Sequence, residues 1–356
     1  MLTIVSKTEP SALKGNLMRV AAVIIALAAS AIVMAFMGYN PFVIYGKIIE
    51  GSLLSAYRLT ETINKTIPLT VLALGVAVAF RMKFWNIGAE GQMMMGAYGA
   101  ALIGFQFSYL PKPLLLILMF LVGALFGGLW ALIPALLKTK FSTSETLVTL
   151  MLNYIAIKWV SYLQYGPWKD PKAVGFPKIA NFSDNAILPK VFGVHIGWII
   201  TIFLAVLIYA LFKKTKLGYE IGVLGESETT ARYAGMSVAK ITITAVLISG
   251  GLCGCAGMMQ ASAIETSLSD QLSNGIGFTA VIVSWLAKLN PLTVIIVSFL
   301  FSMLMQGGNY IQSAMKIPST MSAILQGIII FFVLGCEFFV RYKFVYKKKN
   351  NGKENA

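Results

Sequence analysis

The chain has 356 residues, with 29 Lys and Arg against 14 Asp and Glu, giving a formal charge of +15; only 12% of it is charged and 57% is hydrophobic. Soluble domains carry roughly a quarter charged residues, so this composition excludes a soluble globule, and its apolar content excludes a disordered chain. The positive excess would suit a polyanion partner only if it gathered on one polar face. It is instead parcelled out between apolar runs, and no nucleic-acid partner is expected.

Residues 1–16 form a polar tail, and the apolar run at 17–37 is long enough to cross a bilayer, so it reads as an uncleaved first helix. Further spans are expected near 66–80, 88–108, 113–137, 146–165, 196–213, 238–260, 275–289, 291–308 and 320–340. Of these, 66–80 and 275–289 are short for about 30 Å of hydrocarbon. The fold class expected is an all-α polytopic membrane protein of about ten transmembrane helices, with 17–340 as the transmembrane domain. With ten spans, nineteen of the 29 Lys and Arg fall on the side of the termini and nine on the other, Lys158 lying within a span. That bias puts both termini in the cytoplasm and makes 341–356 a basic inner tail, where it meets anionic lipid.

Three connecting segments are long. Residues 38–65 have apolar positions spaced as in an interfacial helix on the outer side. Residues 166–195 hold four prolines and read as an irregular external loop. Residues 214–237 form a polar cytoplasmic loop with its own capping pattern: Ser227 as N-cap, Glu228 in the first turn and Gly235 as the residue that ends the helix. Two turns are too short to be stable alone, so this helix is expected to dock on a partner.

Inside the spans, Gly123/Gly127 and Gly250/Gly254 are small-residue pairs that let helix backbones approach. Cys253, Cys255 and Cys336 lie in apolar runs, without metal-ligand spacing or a disulfide pattern. Glu145 at a helix start, Lys158 near Trp159 and Tyr162, and Glu337 four residues before Arg341 each have a structural explanation. Glu90 differs. It sits in Asn86-Ile87-Gly88-Ala89-Glu90-Gly91-Gln92, where polar groups and two glycines open an apolar span. A polar helix cap or a water-filled pathway would both use such residues.

These residues identify the chain as resembling the permease subunits of bacterial ATP-binding-cassette importers, in the ribose and, more closely, nucleoside branch. The run Phe84-Trp85-Asn86-Ile87-Gly88-Ala89-Glu90-Gly91-Gln92 after Phe80-Arg81 is similar to that branch's most distinctive signature. Gly277-Phe278-Thr279-Ala280-Val281, Leu289-Asn290-Pro291-Leu292, Ile317-Pro318 and Leu325-Gln326-Gly327 follow the family pattern in order, and Lys216–Gly235 resembles its cytoplasmic coupling region. The departure is Ser284-Trp285-Leu286-Ala287-Lys288, where the family usually has smaller residues and a glycine before Asn-Pro.

The resemblance implies two permease subunits, homologous or identical, a cytoplasmic cassette ATPase, an extracellular substrate-binding protein and a small-molecule substrate, in the bacterial cell membrane. It assigns ATPase docking to Glu226, Thr229, Thr230, Arg232 and Tyr233, with Gly235 ending the helix, and the translocation pathway to Asn86, Gly88, Glu90, Gly91 and Gln92. The sequence contains no G-x-x-x-x-G-K-[ST], so ATP and Mg are expected on the partner, and no cofactor, metal site or catalytic residue on this chain. An ion-coupled secondary transporter of a small polar solute would share the composition, but proton carriers need chains of buried acids or His, and the one His is His195 in an external segment. An intramembrane enzyme would need a nucleophile–base or metal constellation, which the sequence does not offer.

Overall fold

The computed structural model describes residues 2–6, 12–317 and 342–346, with isolated positions 320, 324, 327–328, 331–332 and 335 between the last two. The elements are β1 (Leu2–Ser6), α1 (Ala12–Phe36), α2 (Pro41–Leu53), α3 (Ala56–Arg81), α4 (Ala89–Gln106), α5 (Lys112–Phe141) and α6 (Glu145–Tyr165). After them come β2 (Lys190–Val191), β3 (Val194–His195), α7 (Gly197–Lys214), α8 (Lys216–Glu226), α9 (Glu228–Tyr233), α10 (Val238–Met259), α11 (Ile276–Leu286), α12 (Pro291–Met315) and β4 (Tyr342–Tyr346). The fold is mostly helical. Six of the described helices are long and apolar enough to cross a membrane, and a bent pair brings the number to seven. The expected span 320–340, with Glu337, and the basic tail from 341 lie largely outside the described residues.

Two units divide the chain, Met1–Leu54 with Leu304–Ala356, and Ser55–Met303. In the first, α1 breaks at Gly38 (φ +83°) and α2 leaves at 116° to it. Asn40 starts α2: its side-chain oxygen accepts from the amides of Phe42 (3.0 Å) and Val43 (3.5 Å), and Pro41 occupies a position where no amide is needed. Met34, Ile44, Ile48, Ile311 and Ile317 form the core of this unit. Terminal strands β1 and β4 pair antiparallel with Leu2 opposite Tyr346, an element the apolar periodicity does not suggest.

In the second unit α3 is the central helix, buried on all sides from Thr66 to Phe80, as an element apolar around its whole circumference must be. Its hydroxyls do not break the pattern because Thr66 and Thr70 donate to the carbonyls of Thr62 (2.8 Å) and Thr66 (2.7 Å). At 26 residues α3 spans about 39 Å. The stretch expected at 66–80 therefore gains the last ten residues of the segment read as interfacial, and only Pro41–Leu53 remains a separate short helix.

Around α3, the glycine pairs of α5 and α10 face one another. A Cβ on Gly127 would meet the Gly250 carbonyl and lie 2.6 Å from the Gly254 Cα, and one on Gly96 of α4 would strike the Gly254 backbone. Three helices thus meet backbone to backbone, a contact only glycine permits. Cys253 and Cys255 are buried and free on α10; Cys336 lies outside the described residues.

Candidate functional site

The linker 82–88 turns back into the bundle rather than staying at the Arg81 end of α3. Asn86 Nδ2 donates to Ser249 Oγ at 3.1 Å, and Ser249 is eleven residues into α10, about 17 Å along its axis. Irregular backbone at such depth persists only where protein covers it. Here its polar groups are paired. Asn86 and Gln92 exchange amide hydrogen bonds at 3.1 and 2.9 Å, and Asn86 Oδ1 accepts from the Gly88 amide at 3.1 Å. From α6, Asn153 accepts from the Gly91 amide (2.8 Å) and donates to the Ile87 carbonyl (2.9 Å). It therefore satisfies an orphan donor at the α4 N-terminus, whose cap residue Gly88 has no side chain to do so. Gly88 and Gly91 are needed for this approach, since a Cβ at either would lie about 3 Å or less from Asn86, Thr149 or Asn153 atoms.

Glu90 reaches further. Its carboxylate, 2% exposed, accepts from the Gly275 amide (2.8 Å) and the Gly277 amide (2.6 Å). Those amides open α11, so Glu90 caps a second helix while sitting in the first turn of its own, where both helix dipoles favour a negative charge. The sequence predicts a span over 275–289. The structure forms only eleven residues of helix, about 17 Å, with its N-terminus in the bundle interior. The chain reaches that point from α10 through a π-helical turn, Gln260–Glu265, and a loop that buries Leu268, Leu272 and Ser273.

At the other end of α11, Trp285 stacks on Trp85 with ring centroids 5.6 Å apart, and Phe80 completes the cluster. The residue that departs from the family pattern thereby pins the 82–88 linker to α11. Helix α11 ends with the Leu289 amide donating to the Ser284 carbonyl (3.0 Å) and that of Lys288 to the Trp285 carbonyl (2.9 Å). Lys288 (φ +53°) and Leu289 (φ +57°) occupy left-handed positions that glycine would favour.

The polar segment 214–237 folds as two short helices. Thr215 caps α8 by accepting from the Gly218 amide at 3.1 Å, and Ser227 caps α9 by accepting from the Thr230 amide at 3.2 Å. Closure of α9 is by two bonds, Met236 amide to Ala231 carbonyl and Gly235 amide to Arg232 carbonyl, both 3.0 Å, with Gly235 at φ +72°. Glu226, Thr229, Thr230, Arg232 and Tyr233 are all exposed, Tyr233 to 91%, and Arg232 pairs with Glu228 at 2.7 Å. Periodicity alone misses α8, which carries this display. Gly225 packs on the Arg81 carbonyl so closely that a Cβ would overlap it, and Lys83 Nζ donates to the Glu226 carbonyl at 3.3 Å. Between α8, α9 and the α5–α6 turn lies a cleft of about 750 Å³, lined by Lys83, Lys138, Glu145, Glu226, Arg232 and Met236 among others.

The structure thus brings Asn86, Gly88, Glu90, Gly91 and Gln92 together as one buried cluster and sets Glu226 at the exposed end of α8 and Thr229, Thr230, Arg232 and Tyr233 on the exposed α9. Sequence reasoning misses Asn153 and Ser249. An amide side chain near the middle of the apolar run 146–165 is the available signal for the first.

Comparison with known proteins places these features in a family. Residues 58–334 match the model for the branched-chain amino acid transport system / permease component. The guanosine ABC transporter permease protein NupP of Bacillus subtilis is 32% identical over 88% of this chain and 91% of its own length. The glucose ABC transporter permease protein TsgB13 of Haloferax volcanii is 31% identical, covering 90% and 87%, and the nucleoside ABC transporter permease protein NupB of Lactococcus lactis is 29% identical, covering 88% of each. With a matching model over most of its length and near end-to-end relatives, the chain belongs to the branched-chain amino acid transport system / permease component family and is a multi-pass ABC transporter permease of the cell membrane.

Proposed function

We propose that the chain is one of two permease subunits of a nucleoside importer, the second being homologous or identical. A cytoplasmic cassette ATPase binds ATP and Mg, and an external binding protein delivers the solute. The observation that carries this reading is the similarity over nearly the whole chain to a guanosine and a nucleoside permease from two organisms. The glucose permease relative is compatible with it, because a nucleoside also presents a hydroxylated sugar ring. None of these relatives supports the ion-coupled alternative.

In this reading the chain crosses the membrane ten times with both termini inside, as the Lys and Arg asymmetry favours. One crossing is made by the 266–275 loop and the half-length α11, and the tenth by 320–340. The α8–α9 corner docks on the ATPase through Glu226 at the end of α8 and Thr229, Thr230, Arg232 and Tyr233 on α9. Movement of α9 passes through α8 to Arg81 and Lys83, and from there along the linker to Asn86 and Glu90. Asn86, Gly88, Glu90, Gly91 and Gln92 shape the pathway by fixing where α4 and α11 begin.

The test is ATP-dependent uptake by the complete importer in vesicles. Guanosine should be accumulated and should stimulate ATPase activity, while Tyr233→Glu abolishes ATPase association without unfolding the chain. Uptake driven by an ion gradient without the ATPase, or transport of glucose and no nucleoside, would overturn the reading.

A further inference from the structure

The exposed face of α6 carries a charge and two hydroxyls near the middle of the helix. Helix α5 turns the aliphatic side chains of Ile117, Leu121, Leu125 and Leu129 outward, and α7 presents Ile202, Phe203 and Val206, as contact with lipid requires. Helix α6 also exposes the aliphatic Leu147, Met151 and Ile155, but among them it presents Tyr154 (59% exposed), Tyr162 (61%) and, between these two, the exposed Lys158. Spaced four apart, these three share one side of the helix. Among the described residues, neither the Lys158 ammonium nor the two hydroxyls has a hydrogen-bond or ion-pair partner. Trp159 beside them is held edge-on to Tyr98 (6.0 Å) and close to Tyr162 (5.9 Å), so the face is a fixed aromatic wall.

Depth decides what that wall meets. Helix α6 has 21 residues, about 31 Å, and its midpoint is Ile155. Tyr154 is therefore at the middle of a helix about as long as the hydrocarbon is thick, and Lys158 lies only about 4–5 Å past that middle. A charge so placed against hydrocarbon is strongly unfavourable unless the chain snorkels. Side chains on a helix lean toward its N-terminus, which from Lys158 is back toward the midplane, so reaching the Tyr165 end works against the backbone. The Tyr154 hydroxyl reaches neither surface.

We propose that this face of α6 lines the water-filled solute pathway and that Tyr154, Lys158 and Tyr162 bind the nucleobase. The Lys158 ammonium donates to a ring carbonyl or ring nitrogen, and the tyrosine rings stack on the flat base. The assignment rests on the importer reading above and adds a solute-contacting group that the sequence placed at the lipid boundary.

The experiment measures guanosine uptake against concentration for the complete importer carrying Lys158→Leu or Lys158→Arg. The leucine variant should raise KM about tenfold or more, as loss of a hydrogen bond from a charged donor does. Complex assembly should be retained, and arginine should restore most of the affinity. An unchanged KM with Lys158→Leu, as a lipid-facing lysine gives, overturns the proposal. If the leucine variant does not assemble, Lys158→Cys in membranes is challenged with a charged, membrane-impermeant thiol reagent. Labelling above that of the unsubstituted chain, suppressed by guanosine, supports the assignment, and no added labelling overturns it. Failure of the unsubstituted importer to take up any nucleoside refutes the proposed function instead, so the two failures are distinguishable.

Discussion

Glu90 Oε2 lies 2.6 Å from the backbone nitrogen of Gly277 and accepts its hydrogen, joining positions 187 residues apart. This bond and its companion from Gly275 hold the open N-terminus of α11 against the start of α4. The Gly277 amide is buried and that of Gly275 half-buried, so the carboxylate replaces the capping that a solvated helix would get from its surroundings. Glu90→Gln retains the shape but loses the charge and one acceptor. It should destabilise the assembled protein by about 1–3 kcal/mol, and Glu90→Ala by more, because the buried Gly277 donor and the half-buried Gly275 donor are then unpaired. Thermal melting in detergent measures this; melting of Glu90→Gln at the unsubstituted temperature would show that the bonds contribute nothing.

The end of α11 gives a substitution expected to stabilise. Lys288 occupies the left-handed closing position at φ +53°, where a side chain costs roughly 1–2 kcal/mol and glycine costs less sterically but more in chain entropy. The balance favours Lys288→Gly by up to about 1 kcal/mol. An increase in melting temperature with unchanged uptake is the expected result; a decrease would mean that the lysine side chain contributes more than the strain removes.

Glycines in this chain separate into two classes by what surrounds them. A Cβ on Gly254 would overlap the Gly123 carbonyl, whereas one on Gly222 of α8 meets nothing within 4 Å. Gly254→Ala should therefore force α5 away from α10 at a cost of about 1–3 kcal/mol or more. Gly222→Ala should stabilise α8 by up to about 1 kcal/mol. Parallel measurements of detergent-extracted yield and melting temperature compare the two, and equal behaviour would contradict the backbone contact.

Much of the fold is legible in the sequence because a membrane helix declares itself in a local run of apolar residues. The α9 caps are equally local: Ser227 and Gly235 need only neighbours within four residues. Helix α3 reads as too short because Arg58, Glu61 and Lys65 in its first three turns conceal the apolar window. At 275–289, composition does not show that the helix begins inside the bundle, since that depends on a carboxylate far away in sequence. The same limit applies to the buried network. Glu90 and Asn86 stand out as polar residues in an apolar run, but their partners Gly277 and Ser249, and the Asn153 that holds Ile87 and Gly91, are set by tertiary packing. Trp285 marks a departure in the sequence, and its stacking on Trp85 becomes visible only with the linker in place.

His195 supplies a test in pH. It is 1% exposed on β3, neither ring nitrogen has a hydrogen-bond partner among the described residues, and Lys190 lies directly across the two-stranded hairpin. Burial first, and the Lys190 charge after it, push its pKa down to about 4, against the Asn64 contact that acts in the opposite sense. Above pH 6.5 the imidazole is neutral whether the chain is folded or unfolded, so it contributes no pH dependence there. As pH falls from 6.5 toward 4, only the unfolded chain takes up the proton, and stability is lost throughout that window. The full loss is about 3 kcal/mol, from roughly 1.4 kcal/mol per pKa unit. His195→Leu removes this term while leaving the protein's carboxylates in place. The difference in melting temperature between the leucine variant and the unsubstituted protein should therefore grow in favour of leucine from about pH 7 to about pH 4, then stay constant. A difference independent of pH would mean that His195 is hydrated or paired in the folded protein.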